Sequence, residues 1–241
     1  MKAAKISIII PVLNEAATIE KTLTRLHDIA DLEVIVVDGG SKDETVAIAH
    51  RCAKLFTPSS ELKVISATVG RANQMNAGVA VATGDILLFL HADTHLPPEF
   101  DTLVRQTLQN PSTIAGAFEL RIDSDLRGLR LIESIVNMRS RVFSMPYGDQ
   151  AIFLKAITFH HLGGFPDLPI MEDFELMRRL RRQGQIAIVP ASVLTSGRRW
   201  QKLGVLKTTL MNQLIIAAYF LGIPPVQLAH WYRRSNSRDA R

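Results

Sequence analysis

Strand and helix signals alternate over the first hundred residues, and no other feature of the chain constrains its fold as tightly. Ile6–Val12 is a nearly continuous β-branched run, as expected of a strand buried on both faces. Asn14 suits the N-cap of a following helix, in which Ile19, Leu23, Leu26 and Ile29 recur at helical spacing. The pattern then predicts a strand over Glu33–Val37, a helix over Asp43–Ala53 and a strand over Leu62–Ser66. A helix over Arg71–Val81 and a strand over Asp85–Leu90 follow. Strands separated by helices imply βαβ units: an α/β fold with a mostly parallel central sheet flanked by helices. Such sheets place ligands beyond the carboxyl ends of their strands.

After Pro97-Pro98 the regularity weakens. Helices are expected over Phe100–Leu108, Leu126–Phe143 and Glu172–Gln183, and strands over Ile114–Ile122, Gln150–Leu154 and Ile186–Val189. No linker or repeat divides residues 1–191, which read as one domain. Residues 192–241 read as a basic, amphipathic helical appendage that is not an independent domain. The single cysteine, Cys52, excludes an internal disulfide and a cysteine-rich zinc site. Its helical neighbours mark it as a small buried residue. The first apolar run is too short for a signal peptide and ends at Asn14-Glu15, so a cytoplasmic domain opening on a β-strand is expected.

A net charge of +5 and a pI near 9.6 invite a nucleic-acid partner. The location of the excess argues against one. Residues 198–241 hold eight basic side chains and one acidic, whereas the rest of the chain is slightly acidic. Within that tail Leu203–Ile223 is apolar, but its longest unbroken run is ten residues, short of the roughly 20 a bilayer span needs. Three readings stay open for residues 203–232: packing on the sheet domain, a homodimer interface, or a peripheral contact with the inner face of a membrane.

Two acidic sites fall at predicted strand ends. Asp38 leaves a strand into Gly39-Gly40, where a carboxylate can accept from a nucleobase N–H or a ribose hydroxyl and the glycines admit a ligand; a turn and helix cap suit the same residues. His91-Ala92-Asp93 follows Leu88-Phe89-Leu90, and His91 and Asp93 share a side if the chain stays extended. An aspartate there can hold Mg2+ or Mn2+ through one hard oxygen, with a diphosphate supplying others.

In order along the chain come Ser7–Glu15, the Asp38 loop, Gly70–Gly78, the His91–Asp93 turn and Met171-Glu172-Asp173. Over roughly residues 6–185 this series resembles the family 2 glycosyltransferases of the GT-A fold. Phe89–Thr94, Tyr147–Gln150 and Thr195–Trp200 are most similar to a short subgroup labelled arsenosugar-biosynthesis glycosyltransferases. The resemblance implies an inverting transfer from a nucleoside-diphosphate sugar, with UDP as the expected nucleotide, to a small-molecule or lipid-linked hydroxyl acceptor. It places Pro11, Glu15 and Asp38 in the nucleoside pocket, Arg71 at the base or phosphates and Asp93 on a divalent metal. Asp173 matches the family's catalytic base, and Glu172 beside it is expected to point elsewhere. His91 departs from the family's Asp-x-Asp, since imidazole brings no negative charge to the cation. Asp149 and Gln150 stand where acceptor-side loops lie in this fold, although a surface turn fits them equally. Arg198, Arg199 and Trp200 are placed to close over a diphosphate.

Two other functions are compatible with parts of this pattern. A nucleotidyltransferase shares the sheet and the metal carboxylates, but needs a glycine-rich basic loop where Leu13–Ala17 is acidic and lacks glycine. A noncatalytic nucleotide-sugar-binding protein recruited to a membrane by its tail would have no use for the intact Asp173.

Overall fold

The first strand is buried on both faces because it lies inside the sheet. β1 (Ile6–Val12) runs parallel to β2 (Leu32–Asp38) on one side and to β4 (Ile86–Phe89) on the other. β3 (Ser60–Ser66) extends the parallel set beyond β2. The computed structural model describes residues 3–57 and 59–237; Arg238, Asp239 and Arg241 of the basic tail lie outside them. Alternate side chains of these strands feed two cores. Ile6, Ile8, Ile10, Val34 and Val36 pack beneath helices α1 (Ile19–Leu23), α2 (Thr45–Ala53) and α4 (Phe100–Gln109). Ile9, Ile35, Val37 and Phe89 pack beneath α3 (Arg71–Val81) on the opposite face. A Cβ at Gly78 would meet Ile9 at 2.6 Å, so glycine is what lets α3 lie this close to the strands.

The second half completes the sheet with mixed direction. β5 (Thr94–His95), β6 (Thr113–Asp123), β7 (Phe153–Lys155) and β8 (Gln185–Ser196) give the order β3-β2-β1-β4-β7-β6-β8-β5. β7 is antiparallel to both β4 and β6, and β6 and β8 are parallel. Helix α5 (Leu129–Phe143) covers the distal part of β6, where the Asn137 amide pairs with both backbone groups of Leu120. Cys52 is buried, as its neighbours required.

Four expectations need correction. Asn14 does not cap a helix: it sits at φ 56°, its Oδ1 accepts from the Lys42 N–H, and its own N–H donates to Ser41 Oγ. Helix α1 begins only at Ile19 and is one turn long, with Leu26 in the turn that follows and Ile29 beyond that turn. Gln150 ends a 3-10 turn over Gly148–Gln150 and does not open a strand. The boundary at 192 falls inside β8, because Pro190, with no N–H to donate, and Ala191 are skipped by a bulge and pairing resumes from Ser192 to Ser196. The helices of the appendage are α8 (Arg198–Leu203), α9 (Val205–Phe220) and α10 (Pro225–Ser237). Ile215, Ala218 and Leu228 join the core on the α3 face, so α9 and α10 pack on the sheet domain.

Candidate active site

The carboxyl ends of β1, β2 and β4 and the start of α3 meet at one edge of the sheet. Gln74 of α3 donates its side-chain amide to the carbonyls of Val12 and Val37, both at 2.8 Å, and so pins α3 to the ends of β1 and β2. Asp38 is buried there. Its carboxylate accepts from the N–H groups of Gly40 and Ser41 at 3.0 Å and shapes its own loop. Lone pairs remain on those oxygens for a ligand. The Glu15 backbone N–H donates to Thr45 Oγ1, which fixes the β1 loop against α2.

Beside the end of β1 lies the charged centre. Arg71 donates from Nε to Glu172, and its Nη2 stands 3.5 Å from Asp173 Oδ2. Both acids open helix α7 (Glu172–Leu180), which follows Met171 at φ 70°. The two carboxylates thus face one guanidinium, which corrects the expectation that Glu172 points elsewhere. Asp173 is further held by the Gly148 N–H, 2.7 Å from Oδ2, and by the Phe174 N–H at the start of the helix, 2.7 Å from Oδ1. Burial pushes the Glu172 carboxyl above its usual range, against the pull of Arg71. Burial also opposes the charge on Arg71, but Glu172 and Asp173 outweigh it and hold the guanidinium protonated.

His91 lies 3.4 Å from Arg71 Nη1, and burial reinforced by that guanidinium lowers its pKa to about 4. At neutral pH it is an uncharged imidazole. Asp149 moves the other way: burial, and then the negative charge of Asp173, raises its pKa to about 6. The chain turns after Leu90, with the Thr94 N–H on the His91 carbonyl, rather than staying extended; His91 and Asp93 nonetheless line the same cleft.

That cleft has a volume of about 560 Å³. Arg71, His91, Asp93, Asp149 and Asp173 line one part of it, and Arg199, Trp200, Ile215, Ile216 and Tyr232 another. Pro11 borders a small recess with Arg71, His91 and Asp173. Arg198 bridges two expected donor residues, with Nη2 at 2.9 Å from Glu15 Oε2 and 3.1 Å from Asp93 Oδ2. Arg199 turns toward α10. It stacks on the Tyr232 ring at 4.1 Å, bonds the Tyr232 hydroxyl, and keeps Nε and Nη2 buried without a hydrogen-bond partner among the described residues. Gln150 is not in the cleft. It is fully buried, accepts from Ser140 and donates to the Phe118 carbonyl, so its amide holds β6 to α5 instead of an acceptor.

The residues fit a divalent cation through a single protein carboxylate. Asp93 is a quarter exposed beside the cleft, and no group of three His, Cys, Asp or Glu converges among the described residues. A cation at Asp93 would need the oxygens of a bound diphosphate to complete its shell. Sequence reasoning missed Gly148, whose N–H holds Asp173, and the stacking of Arg139 on Tyr147 at 3.5 Å. The Tyr147-Gly148-Asp149-Gln150 motif did mark the segment, but for its side chains.

Comparison with known proteins bears on this arrangement. The model of the family described as "Glycosyl transferase family 2" matches residues 7–165. A PGL/p-HBAD biosynthesis glycosyltransferase of Mycobacterium bovis (strain BCG / Pasteur 1173P2) is 43% identical over 110 residues, 44% of this chain and 41% of that protein. An undecaprenyl-phosphate 4-deoxy-4-formamido-L-arabinose transferase of Sodalis glossinidius is 28% identical over 170 residues, 66% of this chain and 51% of its own length. The chain therefore spans about half or less of these relatives. Among solved structures, a mannosyltransferase from Pyrobaculum calidifontis in complex with GDP-Man and Mn2+ superposes with a TM-score of 0.69 at 22% identity, covering 99% of this chain and 72% of that one. Glucosyl-3-phosphoglycerate synthase from Mycobacterium tuberculosis with Mn2+, UDP and phosphoglyceric acid gives 0.63 at 21% identity, over 92% and 80%. At such identity these two structures speak for the fold alone.

Proposed function

Because the chain belongs to glycosyl transferase family 2, we propose that it transfers a sugar from a nucleoside-diphosphate donor to a hydroxyl acceptor, with Asp173 as general base and inversion at the anomeric carbon. The supporting observation is the convergence of Asp173, Arg71, His91 and Asp93 on one cleft from three separate stretches of sequence. Asp38, Glu15 and Pro11 would hold the nucleoside, UDP being the expected one. Asp93 would hold Mg2+ or Mn2+, and such a cation, when bound, neutralises charge gathering on the leaving diphosphate.

The chain's own groups divide the remaining work. Asp173 is kept in place by two backbone N–H groups and Arg71, so its carboxylate is oriented before the acceptor arrives. The neutral His91 imidazole can hydrogen-bond a donor hydroxyl without competing for the cation. Arg71 and Arg198 supply positive charge beside the phosphates. Asp149 would bind acceptor hydroxyls.

The relative named as an undecaprenyl-phosphate transferase supports a lipid-linked molecule as the acceptor class. In this chain, Ile215 and Ile216 beside the half-buried Arg199 guanidinium offer an apolar wall next to a cation, which suits an amphiphilic anion. The motifs Phe89–Thr94, Tyr147–Gln150 and Thr195–Trp200 are the support for the arsenosugar subgroup, and the relatives named above carry other names. A thermal-shift panel of nucleotide sugars with and without Mn2+ tests the donor assignment, since specific ligands raise stability by mass action. A shift for one nucleotide class is expected; no shift with any nucleotide sugar would refute the donor site.

A further inference from the structure

Two exposed aliphatic stripes lie outside the site. On α5, Leu131, Ile135, Met138 and Val142 recur at helical spacing along one face, each between 47% and 67% exposed. On α9, Leu206, Leu210 and Leu214 follow every fourth residue at 87%, 69% and 49%. The helices start together, since a Cβ at Gly128, the residue before α5, would lie 3.9 Å from Val205, the first residue of α9. Phe220, Leu221, Val226 and Trp231 continue the exposed apolar surface through α10.

Exposed charge on these elements has one sign. From Gly197 to Ser237 there is no acidic residue, while Lys202, Lys207, Arg233 and Arg234 are exposed. On α5 the only acid is Glu133, buried against Arg130 and the Ile122 N–H, while Arg130 and Arg141 stand more than half exposed. Scattered exposed leucines need no partner, but paired stripes set among cations do. A nucleic acid would leave the aliphatic stripes in water. No helix among the described residues is long and apolar enough to cross a membrane, so a bilayer contact must lie in the surface plane.

We propose that the molecule docks on an anionic phospholipid surface through α5 and α9, with the stripes at the acyl boundary and the arginines and lysines among the headgroups. Both helices border the cleft: α9 supplies Ile215 and Ile216, and Arg139 of α5 stacks on Tyr147. Docking this way brings the cleft to the bilayer, where a lipid-linked acceptor would reside. It goes beyond the transfer reading and does not require it.

Flotation of the full chain with phosphatidylcholine vesicles, with or without phosphatidylglycerol, tests the idea in the absence of donor. The wild type is expected to float with the anionic vesicles, about tenfold or more above the neutral ones, and to release as salt rises. Leu206→Ser with Leu210→Ser, and separately Ile135→Ser with Met138→Ser, should each abolish flotation while melting like the wild type. No flotation of the wild type, or undiminished flotation of folded variants, overturns the proposal. So does a stable dimer in sedimentation that the same substitutions dissociate, since a second copy would then cover the stripes. Absence of transfer activity in a wild type that floats would count against the enzymatic reading alone.

Discussion

The backbone N–H of Gly148 donates to Oδ2 of Asp173 at 2.7 Å, joining a 3-10 turn to the first turn of α7. Side-chain space is absent on the Gly148 side of this bond: a Cβ there would meet Asp173 Oδ2 at 2.9 Å and His91 Nε2 at 3.3 Å. Glycine at 148 therefore sets where the carboxylate stands.

Gly148→Ala is the corresponding prediction. Turnover should fall by about a hundredfold, as expected for a reacting group displaced by an ångström or less. The melting temperature should stay close to wild type, because the turn borders a cleft. Wild-type turnover in this variant would mean that Asp173 does not depend on its Gly148 contact.

Arg198 spans Glu15 and Asp93 and serves there as a tethered cation between two donor-side carboxylates. Loss of a charge-assisted hydrogen-bonding group to a phosphate costs about 1.5–3 kcal/mol. Arg198→Ala should thus weaken nucleotide-sugar affinity by about tenfold or more in calorimetry. Chelation with EDTA should weaken donor binding in the wild type and have little further effect in Asp93→Asn. Unchanged affinity in Arg198→Ala would remove that residue from the donor site, and a full EDTA response in Asp93→Asn would move the cation elsewhere.

Asp149 predicts a pH dependence of stability. Its pKa is near 6 in the folded protein, above the ordinary value of 3.8. The folded state then binds the extra proton between those values, so stability from this group is present at low pH and declines as pH rises through about 6. Asp149→Asn should melt higher than the wild type at pH 8 and lose that advantage near pH 4. A constant difference between the two across this range would show that Asp149 is not perturbed.

Glu33 predicts the opposite slope at lower pH. Fully buried, it accepts from Ser7 at 2.5 Å, Lys63 at 2.8 Å and the Thr83 N–H at 2.8 Å. Burial alone would raise its pKa, but these partners bring it to about 2, from an ordinary 4.5. Its stabilisation is complete above about pH 4.5 and is lost as pH falls toward 2; linkage puts it on the order of 3 kcal/mol. Glu33→Gln should flatten the acid limb of the stability curve. An unchanged limb would contradict the assignment.

The residues explain which of these features were legible beforehand. Arg71–Val81 is legible as a helix because Gly70 and Gly84 bracket an alanine-rich run free of proline. The positions of Asp38 and Asp93 were legible because apolar strands aim the polar residue at their end toward one sheet edge. Gln150 looked like a ligand because sequence does not tell a loop amide from one buried under Phe118 and Ser140. Glu172 was misdirected for a similar reason. Its partner Arg71 is 101 residues away, and only the tertiary fold brings both acids to one guanidinium. The strand beyond Pro190 was hidden by the residue that interrupts its ladder.

Asp173→Asn most directly tests the central claim. Once the thermal-shift panel identifies a donor, transfer of its labelled sugar to a lipid extract and donor affinity should be measured on the same preparation. Removal of the base should lower transfer by about 10²–10⁴-fold while donor affinity stays at the wild-type value. Transfer at the wild-type rate, or loss of donor binding in place of turnover, would contradict the assignment of Asp173 as the base.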